Sequence, residues 1–267
     1  FSAKIMVKVG QLNSKDFPAN KKYAIPLSIT GASNYSLIPS QRSAILLLNR
    51  SILSSVAKVS GGEGIRIKPV GMHTKAEWTI QMSAIYSSLT RSNLTTAYLS
   101  NGTGGEFYTR ISSTAGIQVK NGRDGDDTWT QIPLQAGKWL HITYVHKDKK
   151  TTVYVNGKVQ KVFENSAITF GENSMIVVGN SGYRNDYLRE IRLWDKALTE
   201  SEINDYLYLP MDPATPHLIS YLPLSKEMET KDLKAPAGTE NVTTKARIEY
   251  VENVKFPADE LVIVNQE

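Results

Sequence analysis

Cysteine is absent from the 267 residues. That excludes disulfide staples, thiolate metal sites and a cysteine nucleophile together. A secreted animal domain of this size would often carry disulfides, whereas a bacterial surface or cytosolic protein need not. Long apolar runs are also missing: the longest, residues 44–48, falls far short of the roughly 18 a membrane helix needs, so no membrane insertion by this chain is expected. The four His, at 73, 141, 146 and 217, lack the helical spacing of a zinc site, and His141 and His146 fall on opposite faces of one strand. Phe1 is not an initiator Met and no signal-peptide pattern follows it, so the chain is expected to begin inside a longer precursor.

What is present is ordinary globular usage, with 40% hydrophobic and 21% charged residues, 18 Gly and 11 Pro. This excludes disordered and collagen-like classes. At roughly 100 to 200 residues per domain the length allows one large domain, or one large and one small. Lys plus Arg at 31 against Asp plus Glu at 26 leaves +5. The densest basic run, Lys147, Lys149 and Lys150, is interrupted by Asp148 in an expected hairpin turn, so no nucleic-acid partner is expected.

Helical periodicity is scarce and period-2 alternation is common, the pattern of an all-β protein. In WLHITYVHKDKKTTVYVNGKVQKVF, residues 139–163, apolar positions alternate on both sides of a charged turn and again before Asn156-Gly157, a strong hairpin signal. Three consecutive antiparallel strands are expected there. Further strands are expected at 3–9, 23–30, 44–49, 64–69, 78–86, 97–100, 107–112, 117–121, 175–179, 188–194 and 218–224. One helix stands out: Thr199 opens the capping box TESE, Ile203, Tyr206 and Leu207 share a face, and Pro210 stops it. Residues 1–50 differ in character and read as the C-terminal part of a small β-sandwich domain. Residues 51–62, rich in Ser, Val and Gly, read as a linker, and 63–267 as the main domain.

The motifs WTIQMSAIY, GKWLHITYVHKDKKTTVYVNGKV, and IRLWDKALTESEI followed by LISYLPL, in that order, resemble a laminin-G-like domain of the concanavalin A-type lectin and glucanase superfamily. The segment YAIPLSITGASNYSLIPSQRSAILLLN resembles the end of a β-sandwich domain of unknown function that precedes such domains in Bacteroides-type surface lipoproteins. The resemblance implies a concanavalin A-like jelly-roll sandwich with one short helix. It also implies attachment at the cell surface on the outer membrane, or a periplasmic location, near a polysaccharide-capture system.

Both lectins and hydrolases share that superfamily, so the residues must decide. Retaining glucanases of this fold need acidic residues at i, i+2 and i+4 on one strand. Glu227, Glu229 and Lys231, and Asp124, Asp126 and Thr128, both fail that test. Ser181 in GNSGY lacks a nucleophile elbow. The glycine clusters at 61–64 and 102–105 precede no helix and read as turns rather than phosphate cradles. A non-enzymatic glycan-binding module is the favoured reading, with polysaccharide or glycoprotein glycan as partner. The alternatives are a protein-interaction or spacer domain that holds surface protein partners, and a divergent glycoside hydrolase. For sugar stacking the candidates are Trp129 and, in the loop NSGYRNDY, Tyr183, Arg184, Asn185 and Tyr187. Trp78, Trp139, Trp194 and Tyr144 are assigned to the core. The resemblance implies no required cofactor but a structural Ca²⁺. Asp124, Asp126 and Asp127 in NGRDGDDTW offer hard oxygen ligands for it, although Asn-Gly and Asp-Gly are equally hairpin residues.

Overall fold

The strongest local signal forms as expected. β-Strands at Leu140–Lys147, Lys150–Val155 and Lys158–Glu164 pair antiparallel in sequence. Asn156 and Gly157 adopt φ of 51° and 75°, the left-handed pair that a type I′ turn requires. Asp148 and Lys149 do the same at 50° and 61°, without a glycine. The structure, a computed structural model, describes all residues except 1–5, 9, 11–15, 18–22, 32, 35, 37, 49–50, 71–74, 91–95, 101–102, 105–106, 121–124, 165–166, 180–182 and 266–267. It leaves aside the side chains of 41, 103, 104, 183 and 184 as well. The strand expected at 3–9 therefore lies mostly outside the described residues.

Two units divide the chain, Phe1–Ser51 and Ile52–Glu267. In the first, β1 (Tyr23–Ser28) and β2 (Ser43–Leu48) form an antiparallel hairpin. In the second the strands are β3 (Ile52–Gly61), β4 (Ile65–Ile67), β5 (Trp78–Ile85), β6 (Ala97–Ser100), β7 (Thr103–Gly104), β8 (Tyr108–Ser112) and β9 (Gly116–Lys120). There follow β10 (Leu140–Lys147), β11 (Lys150–Val155), β12 (Lys158–Glu164), β13 (Ile168–Thr169), β14 (Met175–Val178) and β15 (Tyr183–Trp194). Helix α1 (Glu200–Asp205) precedes β16 (Leu218–Leu222), β17 (Val242–Thr243) and β18 (Arg247–Phe256). All pairings are antiparallel. A large sheet runs β12-β11-β10-β5-β15-β3-β18 with β16 beside β15, and a second runs β17-β4-β14-β6-β8-β9. Their inner faces enclose one core, with Trp78, Ile80, Met82, Ala84, Ile142 and Tyr144 from the large sheet meeting Ile65, Ile67, Leu99, Ile111, Ile117 and Ile176. The unit is a two-layer all-β sandwich of jelly-roll type. Among the described residues no helix is long and apolar enough to cross a membrane.

Two sequence readings need correction. Residues 51–62 are not a linker: Ile52–Gly61 is an inner strand, with Val56, Ala57 and Val59 fully buried. Small side chains suit a strand packed between β15 and β18, and the partner that completes it lies about 190 residues downstream, beyond local pattern reading. The helix begins at Thr199 with the expected capping box, Glu202 N–H donating to Thr199 Oγ1 at 3.3 Å and Thr199 N–H to Glu202 Oε2 at 2.9 Å. It ends at Asp205, well before Pro210, because the chain turns there to lie across the large sheet.

That covering strap is held by polar groups on the outward face of the sheet. Strand β15 carries a bulge: Arg189 faces Ser83 and Arg192 faces Gln81, so one extra residue is accommodated and Glu190 takes a φ of 54°. Without the bulge Arg189 and Arg192 would point to opposite faces. With it both reach the strap, Arg189 donating to Tyr208 O at 2.9 Å and Arg192 to Tyr206 O at 3.0 Å and Leu209 O at 2.6 Å. Buried Glu190 lies between them, 3.4 Å from Arg189 and 2.5 Å from Arg192, and accepts from the Tyr221 hydroxyl at 3.0 Å. Tyr221 in turn accepts from Met211 N–H at 3.0 Å.

The aromatics assigned to the core are buried there, and histidine joins them. His146 is 1% exposed, stacks on Trp78 at 5.1 Å, shares a hydrogen bond with Thr151 Oγ1 at 3.0 Å, and accepts from Ile168 N–H at Nε2. Burial pushes its pKa down to about 4. The folded state therefore holds the neutral ring while the unfolded chain takes up a proton below about 6.5. This share of stability is complete above that pH and is lost as pH falls toward 4. We expect roughly 1–2 kcal/mol less stability at pH 5 than at pH 7.5 from this residue. Urea titrations across that range should show a shallower acid slope in His146→Gln, and identical slopes would refute the assignment.

Candidate functional site

The residues proposed from sequence fall on two separate segments, the turn that leads to Trp129 and the start of β15. Tyr183–Trp194 is a strand rather than a loop at its start, so Tyr183, Arg184 and Tyr187 lie in the β15 ladder beside β3. Tyr183 and Arg184 side chains lie outside the described residues. Asn185 is an exposed bulge residue with φ of 60°, which lets the strand pass one extra residue. The buried Asp186 beside it accepts from Ser87 N–H at 2.7 Å and Ser87 Oγ at 2.9 Å, so it ties down a loop. That loop continues to Leu89, whose carbonyl accepts from Ser113 just before β9 begins. Trp129 lies with the acidic turn that follows the other end of β9. The two proposed sugar segments are thus tied to different partners, the one at Asp186 to Ser87 and the one at Trp129 to Gln118 of β9.

The acidic turn also departs from a calcium cradle. Asp124 lies outside the described residues. Asp126 and Asp127 are exposed in a short 3-10 turn, Asp126–Thr128. The Lys161 ammonium donates to Asp127 O and Trp129 O, each at 2.7 Å, so a cation already occupies the carbonyl pair that Ca²⁺ would seek. Among the described residues no three His, Cys, Asp or Glu side chains converge on a metal position. What is described of this turn does not fit the ion.

A different surface gathers aromatic and cationic groups. In the six-stranded sheet Ala97 and Leu99, Thr109 and Ile111, and Ile117 and Val119 point inward. Alternation then directs Tyr98, Tyr108, Arg110 and Lys120 outward, together with Gln118, which the segment carrying Thr128 and Trp129 covers. Tyr98 pairs directly with Tyr108 and Tyr108 with Lys120, while Arg110 faces Gln118. The two half-buried tyrosine rings lie 6.2 Å apart, tilted by 51°. The Arg110 guanidinium sits 5.5 Å and the Lys120 ammonium 6.0 Å from the Tyr108 ring centre. At the sheet margin Trp129 bridges by its backbone to Gln118, and Gln118 Nε2 donates to Thr128 Oγ1 at 2.8 Å.

Hydroxyls beneath this platform hold it in place. Strands β6 and β8 share a single ladder pair, Tyr98 and Tyr108. Thr109 Oγ1 reinforces it, accepting from Ala97 N–H at 2.8 Å and donating to Ala97 O at 2.6 Å. Thr96 Oγ1 bonds Thr109 Oγ1 at 2.5 Å and the Tyr144 hydroxyl from the opposite sheet. Burial pushes Tyr144 up to about 12, so this hydroxyl stays protonated in the core. The outward tyrosines rest on a fixed polar seam. Sequence reasoning passed over them because Tyr98 and Tyr108 sit within strands, and only the partner sheet tells which face is outward.

A family model described as the concanavalin A-like lectin/glucanases superfamily matches residues 60–204. No curated protein matches the chain. Among solved structures, a Bacteroides ovatus protein provisionally named as carbohydrate-binding superposes with a TM-score of 0.59 at 18% identity, over 89% of this chain and 71% of that one. A heptameric pentraxin from Limulus polyphemus gives 0.46 at 14% identity, over 74% and 94%. Domain 4 of an extracellular arabinanase from Geobacillus stearothermophilus, solved with arabinotriose, gives 0.44 at 16%, over 68% and 86%. Identities this low speak for the fold alone.

Proposed function

The chain belongs to the concanavalin A-like lectin/glucanases superfamily, whose model spans more than half of it, and on that premise we propose that it is a non-catalytic carbohydrate-binding module. The observation that carries this is the Tyr98–Tyr108 platform with Arg110 and Lys120 around it. A pyranose ring has an apolar face that packs on an aromatic plane, and its hydroxyls accept from cationic donors at the edge. Glycoside hydrolysis needs a pair of carboxyl groups. The outward positions of β6, β8 and β9 (Tyr98, Ser100, Tyr108, Arg110, Ser112, Gln118, Lys120) include no acid. Placement at a bacterial surface, in polysaccharide capture, rests on the likeness of residues 23–49 to the domain that precedes such modules in surface lipoproteins.

A polysaccharide array followed by calorimetry tests the reading. We expect binding to at least one polysaccharide without release of reducing ends. Tyr98→Ala and Tyr108→Ala should each weaken it about tenfold, the order of one lost stacking contact of about 1–1.5 kcal/mol. Absence of any glycan binding, or variants that bind as the parent does, would sink the proposal.

A further inference from the structure

On the opposite layer, where the strap leaves the outward face of the large sheet uncovered, a cleft of about 490 Å³ opens. The size is that of small-molecule sites in general. Glu190 and Tyr221 form its floor, Ser55, Glu227, Glu252 and Asn253 its polar sides, and Met211, Met228 and three prolines its apolar walls. No Lys, Arg or His is among the residues that line it, in a chain whose formal charge is +5.

The hydroxyl protons inside the cleft are already committed. Ser54 donates to Ser55 O at 3.1 Å, Ser55 lies 3.5 Å from Glu227 Oε2, and Tyr221 donates to Glu190. Glu227's own backbone N–H, then the Ser225 and Ser55 hydroxyls and the charge of Lys226, hold the Glu227 carboxyl below its usual range against a small opposing effect of burial. Glu190 is matched by two guanidiniums and Glu252 by Lys226. Glu227, at the mouth, is in none of the ion pairs among the described residues, and the ammonium of its neighbour Lys226 is taken up by Glu252. A cleft rich in acceptors whose hydroxyl donors are spent favours a ligand that only donates. An ammonium has three donors and no acceptor.

The backbone around the cleft is unusual too. Glu190, Leu224, Glu229 and Asn253 have φ of 54°, 54°, 52° and 57°, a region that non-glycine residues seldom occupy, least of all leucine. At Glu190 and Asn253 the conformation belongs to the bulges of β15 and β18. We propose that the cleft binds an organic ammonium, an amine on a compact carbon skeleton, with its nitrogen against Glu227 and its carbons on Met211 and Met228. The chemistry is shared by amino sugars and by simple alkyl diamines. It is independent of the tyrosine platform, and Tyr98→Ala should leave it intact.

Calorimetric titration of the full chain with glucosamine, cadaverine and N-acetylglucosamine tests this. Glucosamine or cadaverine should bind and N-acetylglucosamine should not. Glucosamine alone would identify an amino-sugar ligand, and cadaverine as well would identify amines in general. Glu227→Gln should weaken binding at least tenfold, whereas Glu164→Gln, on distant β12, should not change it. Met228→Arg, which places a cation at the mouth, should abolish binding in a chain whose melting temperature is kept. Failure of both amines to bind, equal affinity for N-acetylglucosamine, or indifference to Glu227→Gln and Met228→Arg would overturn the proposal.

Discussion

Glu190→Ala is expected to destabilise the large unit by about 3–5 kcal/mol, because it leaves charge buried with nothing opposite it. Arg189 and Arg192 are 1% and 2% exposed and rely on Glu190 for their counter-charge. Arg189 also lies 4.0 Å from the Phe256 ring centre, where burial pushes its pKa down, so it holds its proton against the pull of its surroundings. Tyr221 would lose its carboxylate acceptor in the same step. The loss should concentrate in the strap, since both guanidiniums hold carbonyls between Tyr206 and Leu209. Urea unfolding followed by far-ultraviolet dichroism gives the magnitude, and limited proteolysis should cut the variant first near 206–211. Replacing Arg189, Glu190 and Arg192 together by apolar residues of similar volume should recover much of the loss, because no lone charge is then left behind. A change below about 1 kcal/mol in Glu190→Ala would show that the network is not what fastens the strap.

Trp78→Ala should cost a similar amount, about 3–5 kcal/mol, for a different reason. The ring is fully buried, meets Phe107 edge-on at 4.8 Å and Phe170 at 5.3 Å, and stacks on His146. Its indole N–H donates to Ile168 O at 2.9 Å, which fixes the short β13 against the end of β5. Alanine would open a cavity at the centre of the aromatic group and orphan a buried carbonyl. Trp78→Phe separates the two contributions, since a ring remains but the donor is gone. It should cost roughly 1–3 kcal/mol, the range for one unsatisfied buried group. If Phe costs as much as Ala, the hydrogen bond dominates. If Ala costs less than about 2 kcal/mol, the surrounding rings have closed over the gap and the core is softer than its burial implies.

The all-β class, the β10–β12 meander and the capped helix were legible in the sequence because each rests on local chemistry. Alternation marks a half-buried strand, Asn156-Gly157 tolerates positive φ, and Thr199 with Glu202 caps a helix within one turn. What was not legible depends on partners far away. β18 was not anticipated, and β3 read as a linker, because each is completed by the other across most of the chain. The Tyr98–Tyr108 platform was missed because alternation shows that a strand has two faces without showing which one meets the second sheet. The aromatic and acidic loops singled out instead obeyed composition, but Asp186 turned out to secure Ser87, and Lys161 to sit on the carbonyls of Asp127 and Trp129.

The pairing of β3 with β18 has a bearing on how the polypeptide is made. Ile52 faces Phe256 in that ladder, so β3 waits for a strand synthesised about 200 residues later. Contacts so remote in sequence form slowly. Until Arg247 and its successors emerge, one edge of β3 carries unmet amide and carbonyl groups, an invitation to a neighbouring nascent chain. Translation pauses or truncations before that point would turn a self-contained molecule into a sticky one.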